Sequence, residues 1–178
     1  MAGSPGDERA WIRGAQRGFE ADLEALFRHH WPGAYRAAYL VVHDAGAAED
    51  IAQEAFLAAV RALDGFDRRR PFGPWLHRIV VNRAIDWSRA RALRREVGDD
   101  ALSLTAATER PGNPHSHTLA AALAELSPEH RAVIVLRHLL EYTPGEIAGL
   151  LGLPRGTVNS RLRRGLDELA ARVAEDVR

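Results

Sequence analysis

YTPGEIAGLLGLPRGTVNSRLRRGLDEL, residues 142–169, decides the fold of the C-terminal part of the chain. Thr143 is placed to cap a first helix, Pro144 suits its first turn, and Glu146 stands at the reciprocal capping-box position. Ile147, Leu150 and Leu151 supply the buried side of that helix, and Gly152 ends it. Pro154 opens a second helix in which Val158, Leu162, Leu166, Leu169 and Val173 recur at three- and four-residue steps, so this stripe is predicted to pack inward. With Val158 inward, Thr157, Asn159, Ser160, Arg163 and Arg164 face out. These residue types donate to phosphates or read base edges, which a recognition helix meets in a major groove through its N-terminal half. The pattern predicts a helix-turn-helix. By itself it does not distinguish a repressor, an activator or a polymerase subunit, and an Arg-rich outer face is also that of any solvated amphipathic helix.

The charge along the chain points the same way. Formal net charge is zero over 178 residues. Residues 1–67 carry six Arg and eleven acids, residues 68–95 nine Arg and one acid, and residues 96–178 nine Arg and twelve acids. One strongly basic block therefore lies between acidic flanks, and it is distribution that steers a polyanion. The absence of cysteine excludes disulfides, thiolate zinc sites and Cys nucleophiles, and fits a reducing compartment. Neither a signal-peptide core nor an apolar run of the roughly 20 residues that span a bilayer is present, which predicts a soluble, cytoplasmic protein without membrane insertion.

Helical periodicity dominates residues 18–95, with helices predicted over Glu20 to Trp31, Ala34 to His43, Ala47 to Leu63 and Pro74 to Ala92. Residues 1–17 form an N-terminal extension. The small, polar, turn-prone run EVGDDALSLTAATERPGNPHSH, residues 96–117, reads as a linker. Beyond it, Thr118 to Leu126 and Pro128 to Leu140 are two further helices, parted by Ser127-Pro128 as cap and first-turn pair. The fold class is all-α: two small helical domains joined by a flexible linker, residues 18–95 and 118–178, the second a helix-turn-helix domain.

RRRPFGP, residues 68–74, is predicted to be an exposed basic loop, since Pro and Gly interrupt regular structure. In the helix that follows, Arg78, Asn82, Asp86 and Arg89 fall at four-, four- and three-residue steps and form one polar stripe. The stripe is either an internal ion-pair ladder around Asp86 or a groove for single-stranded DNA, with Phe72, Trp75 or Trp87 available for stacking. Trp75 is assigned to the core, and Trp87 to neither role. Asp50, Glu54 and Leu57 share a helix face with Gln53 beside them, opposite Ala52, Ala55, Phe56 and Ala59. Taken alone, that face reads as solvated and acidic.

Together, DIAQEAFLAAVRAL, FGPWLHRIVVNRAIDWSRARALRR and LAELSPEHRAVIVLRHLLEYTPGEIAGLLGLPRGTVNSRLRRGLDEL resemble, in order and spacing, the extracytoplasmic-function sigma factors of the sigma-70 family. The likeness runs from about Gly18 to Val173. It implies a non-enzymatic subunit of bacterial RNA polymerase that binds the core enzyme, recognises minus-thirty-five and minus-ten promoter elements and promotes melting. It also implies an anti-sigma factor as partner. Carried over residue by residue, Asp50, Gln53, Glu54 and Leu57, above Phe56, would meet the core polymerase through its beta-prime and beta subunits. Arg68, Arg69, Arg70, Phe72, Arg78, Asn82, Arg83 and Arg89 would hold the minus-ten DNA. Arg155, Thr157, Asn159, Ser160, Arg163 and Arg164 would contact the minus-thirty-five element. The family often has Lys or Arg where this chain has Asn159, a neutral amide that can pair with adenine.

His29-His30 and His115-Ser116-His117 lack carboxylates at metal-site spacing and are predicted to be surface or linker histidines, so no metal and no cofactor is expected. No P-loop, GxSxG or HExxH supports an enzyme. Two other readings are an autonomous helix-turn-helix repressor or activator, and a helical decoy that binds a sigma regulator. A repressor has no need of the DIAQEAF helix followed by a basic loop, and a decoy none of two DNA-facing sets.

Overall fold

The computed structural model describes residues 5–96 and 114–176, and all regular structure among them is helical. Four helices build the N-terminal domain: α1 (Pro5–Ala15), α2 (Glu20–Val42), α3 (Ala45–Arg61) and α4 (Phe72–Glu96). Four more build the C-terminal one: α5 (Pro114–Glu125), α6 (Pro128–Ile134), α7 (Pro144–Leu151) and α8 (Arg155–Asp176). In the first domain small side chains let the helices approach closely. Ala34, Ala37 and Ala38 of α2, Ala48, Ala52, Ala55 and Ala59 of α3, and Val80, Val81 and Ala84 of α4 are all buried.

α2 is one helix where two were predicted. Pro32 lies inside it and is exposed, as is Arg28 one turn earlier, whose carbonyl the missing N–H would have engaged. Water can satisfy that carbonyl, and packing of Leu26 on one side and Ala34 to Val42 on the other outweighs the proline penalty. α2 stops at His43, in the left-handed region with φ 52°, whose N–H donates to the Tyr39 carbonyl. Asp44 then caps α3, accepting from the Ala47 amide at 3.0 Å and pairing with Arg91 at 2.9 Å. The Ala47 amide first, and Arg91 after it, hold this carboxyl below the ordinary range.

Three expectations are corrected. The N-terminal extension contains α1, docked through Ile12, which is buried, and through Trp11 against His29 with ring centroids 5.7 Å apart. The predicted linker is helical at its far end, because α5 starts at Pro114; residues 97–113 of it lie outside the described residues. The predicted helix Pro128 to Leu140 is α6 followed by a wider π turn, Val135–Leu139, closed by the Leu140 amide on the Val135 carbonyl at 3.0 Å.

Candidate nucleic-acid interface

The helix-turn-helix is formed by α7 and α8. The Thr143 amide donates to Glu146 Oε2 at 2.8 Å while the Glu146 amide donates to Thr143 Oγ1 at 3.3 Å, the predicted capping box. Gly152 takes φ 65°, the left-handed conformation that favours glycine, and turns the chain towards α8. Val158 and Leu162 are buried, as predicted, but Leu166 is 39% exposed. Gly165 occupies the inward position instead. A β-carbon there would meet Ile134 Cδ1 at 2.9 Å and His130 Cβ at 3.1 Å, so α8 crosses α6 where only a hydrogen fits. Arg155, Asn159, Arg163 and Arg164 are exposed and have no hydrogen bond or ion pair among the described residues. Thr157 and Ser160 are half-buried, with Ser160 Oγ donating to the Thr157 carbonyl at 3.0 Å.

The basic loop is organised by Asp67. Its carboxylate accepts from the Arg69 amide at 3.0 Å and from Arg69 Nε and Nη2 at 3.0 and 2.9 Å, and the Arg69 side chain above all holds it down at about 2. Arg69 is thus folded back, whereas Arg68 and Arg70 are exposed without a partner among the described residues. Phe72 corrects the sequence reading. It is 3% exposed and starts α4, with ring centroids 4.9 Å from His30, 5.7 Å from Phe66 and 5.4 Å from Trp75. An aromatic ring without a polar edge is worth most in the core, and here it closes the floor beneath the loop, unavailable for stacking on a base.

Along α4, Arg78 is exposed and Asn82 half-buried. The ladder reading survives only as a 3.7 Å approach of Arg89 to Asp86, because Arg89 Nε donates to Glu129 of α6 at 2.6 Å. Arg83 donates to Glu54 of α3 at 3.0 Å. Trp87 is half-buried beneath the Arg91 guanidinium, 5.0 Å from its ring centroid. On α3 the predicted division holds: Ala52, Ala55, Phe56 and Ala59 are buried, and Asp50, Gln53, Glu54 and Leu57 are exposed. Leu57 is 56% exposed, and Val60, one turn further along α3, and Phe27 of α2 are also exposed and were missed by sequence reasoning. The Phe27 ring packs 4.8 Å from that of Phe56 and leaves an exposed apolar surface on α2 next to α3.

The two domains meet along a polar seam. His77 Nδ1 and the Tyr142 hydroxyl are hydrogen-bonded at 2.7 Å, Arg89 reaches Glu129, and Arg131 donates to the Val41 carbonyl at the end of α2. Arg131 Nη2 also donates to the carbonyls of Ala124 and Leu126, at 2.5 and 2.8 Å. Burial pulls this guanidinium down to about 10, so it remains a cation at neutral pH. His43 Nε2, Ser88 Oγ and Arg131 Nε are buried without hydrogen-bond partners among the described residues, beside a cavity of about 340 Å³ between the domains. Sequence reasoning missed Arg131, although a lone cation at the head of the apolar run AVIVL was a usable signal.

His30 also departs from the predicted surface position: its side chain is 12% exposed and its Nε2 stands 3.5 Å from Glu8, with no hydrogen bond among the described residues. His30, His43 and His77 are each pushed down to about 4. Burial is the main cause for all three, helped by His29, Arg131 and His30 respectively. Each ring is neutral in the fold but binds a proton near 6.5 when unfolded. The unfolded state thus holds more protons between these values, so stability is complete above the upper one and is lost as pH falls through the window. The melting temperature should therefore drop steadily from about pH 6.5 to about pH 5, and His77→Phe should flatten the slope. A melting temperature flat over that range would contradict the assignment.

Two helical domains, the second a helix-turn-helix whose exposed Arg155, Arg163 and Arg164 have no partner among the described residues, define the class of helix-turn-helix proteins. Residues 26–94 match the family Sigma-70 region 2, and residues 116–169 match Sigma-70, region 4. The chain is 33% identical over 171 residues to the ECF RNA polymerase sigma factor SigW of Bacillus subtilis, covering 88% of this chain and 89% of that protein. It is 33% identical over 171 residues to SigL of Mycobacterium tuberculosis, covering 93% and 97%. The solved structure of CnrH in complex with the cytosolic domain of CnrY superposes with a TM-score of 0.71 at 29% identity, covering 96% of this chain and 99% of CnrH. The chain belongs to the extracytoplasmic-function sigma factors of the sigma-70 family, the alternative sigma factors of transcription initiation. Among the described residues no helix is long and apolar enough to cross a membrane.

Proposed function

We propose that this sigma factor joins core RNA polymerase in the cytoplasm through the acidic face of α3, and that it directs the holoenzyme to promoters without catalysing a reaction itself. Residues 18–95, with α1 packed on them, act at the minus-ten element, and residues 118–178 at the minus-thirty-five element. Asp50, Gln53, Glu54 and Leu57, extended by Val60 and Phe27, offer acids around an apolar patch, which suits a basic helical partner on the beta-prime subunit. Arg68, Arg70, Arg78 and Asn82 remain available for the melted strand, while Arg83 and Arg89 must first leave Glu54 and Glu129. The observation that carries the reading is the outer face of α8, where Arg155, Asn159, Arg163 and Arg164 are exposed and unpaired among the described residues, opposite the buried Val158, Leu162 and Gly165.

In the closed arrangement Arg89 and His77 of α4 are occupied by Glu129 and Tyr142, so engaging DNA through Arg89 as well as Arg78 and Asn82 requires the seam to part. An anti-sigma factor that stabilises this closure would silence the protein, a partner suggested by CnrH having been solved with the cytosolic domain of CnrY. Transcription from a library of randomised upstream elements tests the recognition helix. Asn159→Arg should change preference at one base pair, with discrimination on the order of 1–3 kcal/mol. Arg164→Ala should lower transcription, and if its contact is to phosphate it does so across all sequences and flattens the salt dependence. Unchanged preference in Asn159→Arg removes that residue from the reading set. Tight, sequence-specific duplex binding by the isolated chain would favour a repressor instead.

A further inference from the structure

We infer that α1 and the turn that ends it position the basic loop: Glu8 of the helix and Gln16 of the turn fix the two ends of residues 67–71 and thereby set where Arg68 and Arg70 meet the minus-ten strand. Gln16 Nε2 donates to the carbonyls of Leu63 and Phe66, at 2.9 and 3.2 Å, across 47 and 50 residues of sequence. These carbonyls are the last fixed points before the loop. At its other end Glu8 Oε1 accepts from the Phe72 amide at 3.2 Å, across 64 residues. That amide opens α4, where the first-turn N–H groups have no partner within the helix and negative charge is favoured.

α1, through Glu8, and the turn that directly follows it, through Gln16, thus hold both ends of the segment that carries Arg68 and Arg70. Between the clamps, Asp67 folds Arg69 back, and the buried Phe72 ring forms the floor, so the loop is held at its start, its inside and its end. Docking of α1 is a separate matter, carried by Ile12, Trp11 and Ala15 against the core. Glu8 and Gln16 can therefore be altered without undocking the helix, and neither lies on the exposed face of α3 assigned to core polymerase.

The inference rests on the minus-ten reading of this loop, and the experiment separates the two. The full-length Glu8→Met, Gln16→Met variant is assembled with core polymerase and compared with the parent in core affinity, permanganate reactivity of melted thymines and preference across a randomised minus-ten library. Hydrogen exchange of the amides from Phe66 to Phe72 is followed in the free protein. The expected result is faster exchange in that segment, core affinity within about twofold, flattened base preference and melting weaker by roughly tenfold or more, as displacement of a contacting group by about 1 Å produces. Glu8→Gln with Gln16 intact, which keeps the acceptor, should behave as the parent. Faster exchange with unaltered melting and preference overturns positioning by α1, and so does an equal loss of core affinity and melting, which marks a purely structural role. Arg68→Ala, Arg70→Ala is the control for the underlying reading: if it leaves the minus-ten preference intact, the loop does not read DNA and the inference falls with it.

Discussion

Arg131→Met should unfold at a clearly lower temperature than the parent, with a loss on the order of 2–4 kcal/mol. The methionine stem fills most of the space of the arginine chain, so the change isolates the hydrogen bonds. The carbonyls of Val41, Ala124 and Leu126 would each lose a cationic donor inside the protein, where an unmet carbonyl costs about 1–3 kcal/mol. Recovered solvation of the guanidinium offsets part of this, since burial already draws it down to about 10. Two of the three acceptors lie in the C-terminal domain and the third ends α2 of the other, so stability and domain closure should weaken together. Arg131→Lys should not rescue, because one ammonium cannot span three carbonyls as a planar fork does. Thermal melting and small-angle scattering check this, and an unchanged melting temperature would show that the seam is not held by Arg131.

Asp50→Arg, Glu54→Arg should abolish productive assembly with core polymerase, weakening it on the order of a hundredfold if these acids meet basic residues across a closed interface. Both side chains are exposed on α3, and the core beneath them, Ala52, Ala55, Phe56 and Ala59, is untouched, so the helix should remain folded. Glu54 has a second role in the free chain, holding Arg83 at 3.0 Å. Glu54→Gln alone therefore serves as a control: it releases Arg83 but leaves Asp50 in place, and should lose far less. A double variant with parental circular dichroism that joins core polymerase as the parent does would remove α3 from the interface.

Local chemistry in the sequence was enough for much of this molecule. Thr143, Glu146 and Gly152 mark the limits of α7 because cap hydrogen bonds and a left-handed residue act within one turn. The alternation of Ala52, Ala55, Phe56 and Ala59 with Asp50, Gln53, Glu54 and Leu57 gives the two faces of α3, since both follow from 3.6-residue periodicity. The outward set on α8 was legible for the same reason. Leu166 was not, because a periodicity count credits apolar residues and cannot see that Gly165 serves the core by having no side chain.

Within the basic block, the sequence by itself determined which charges are present, and their crowding beside Pro and Gly makes an exposed loop. Only the tertiary structure decided which of them are free. Arg83 is held by Glu54 and Arg89 by Glu129, and Phe72 lies in the floor, whereas Arg69 is folded back locally on Asp67 two residues before it. The sequence likewise specified helices and their inward faces, since those depend on neighbours a few residues apart. The clamp of α1 on residues 63–72 and the Arg131 seam join groups 47 to 90 residues apart. Such pairs depend on how whole helices are placed, which no local pattern of capping or periodicity encodes.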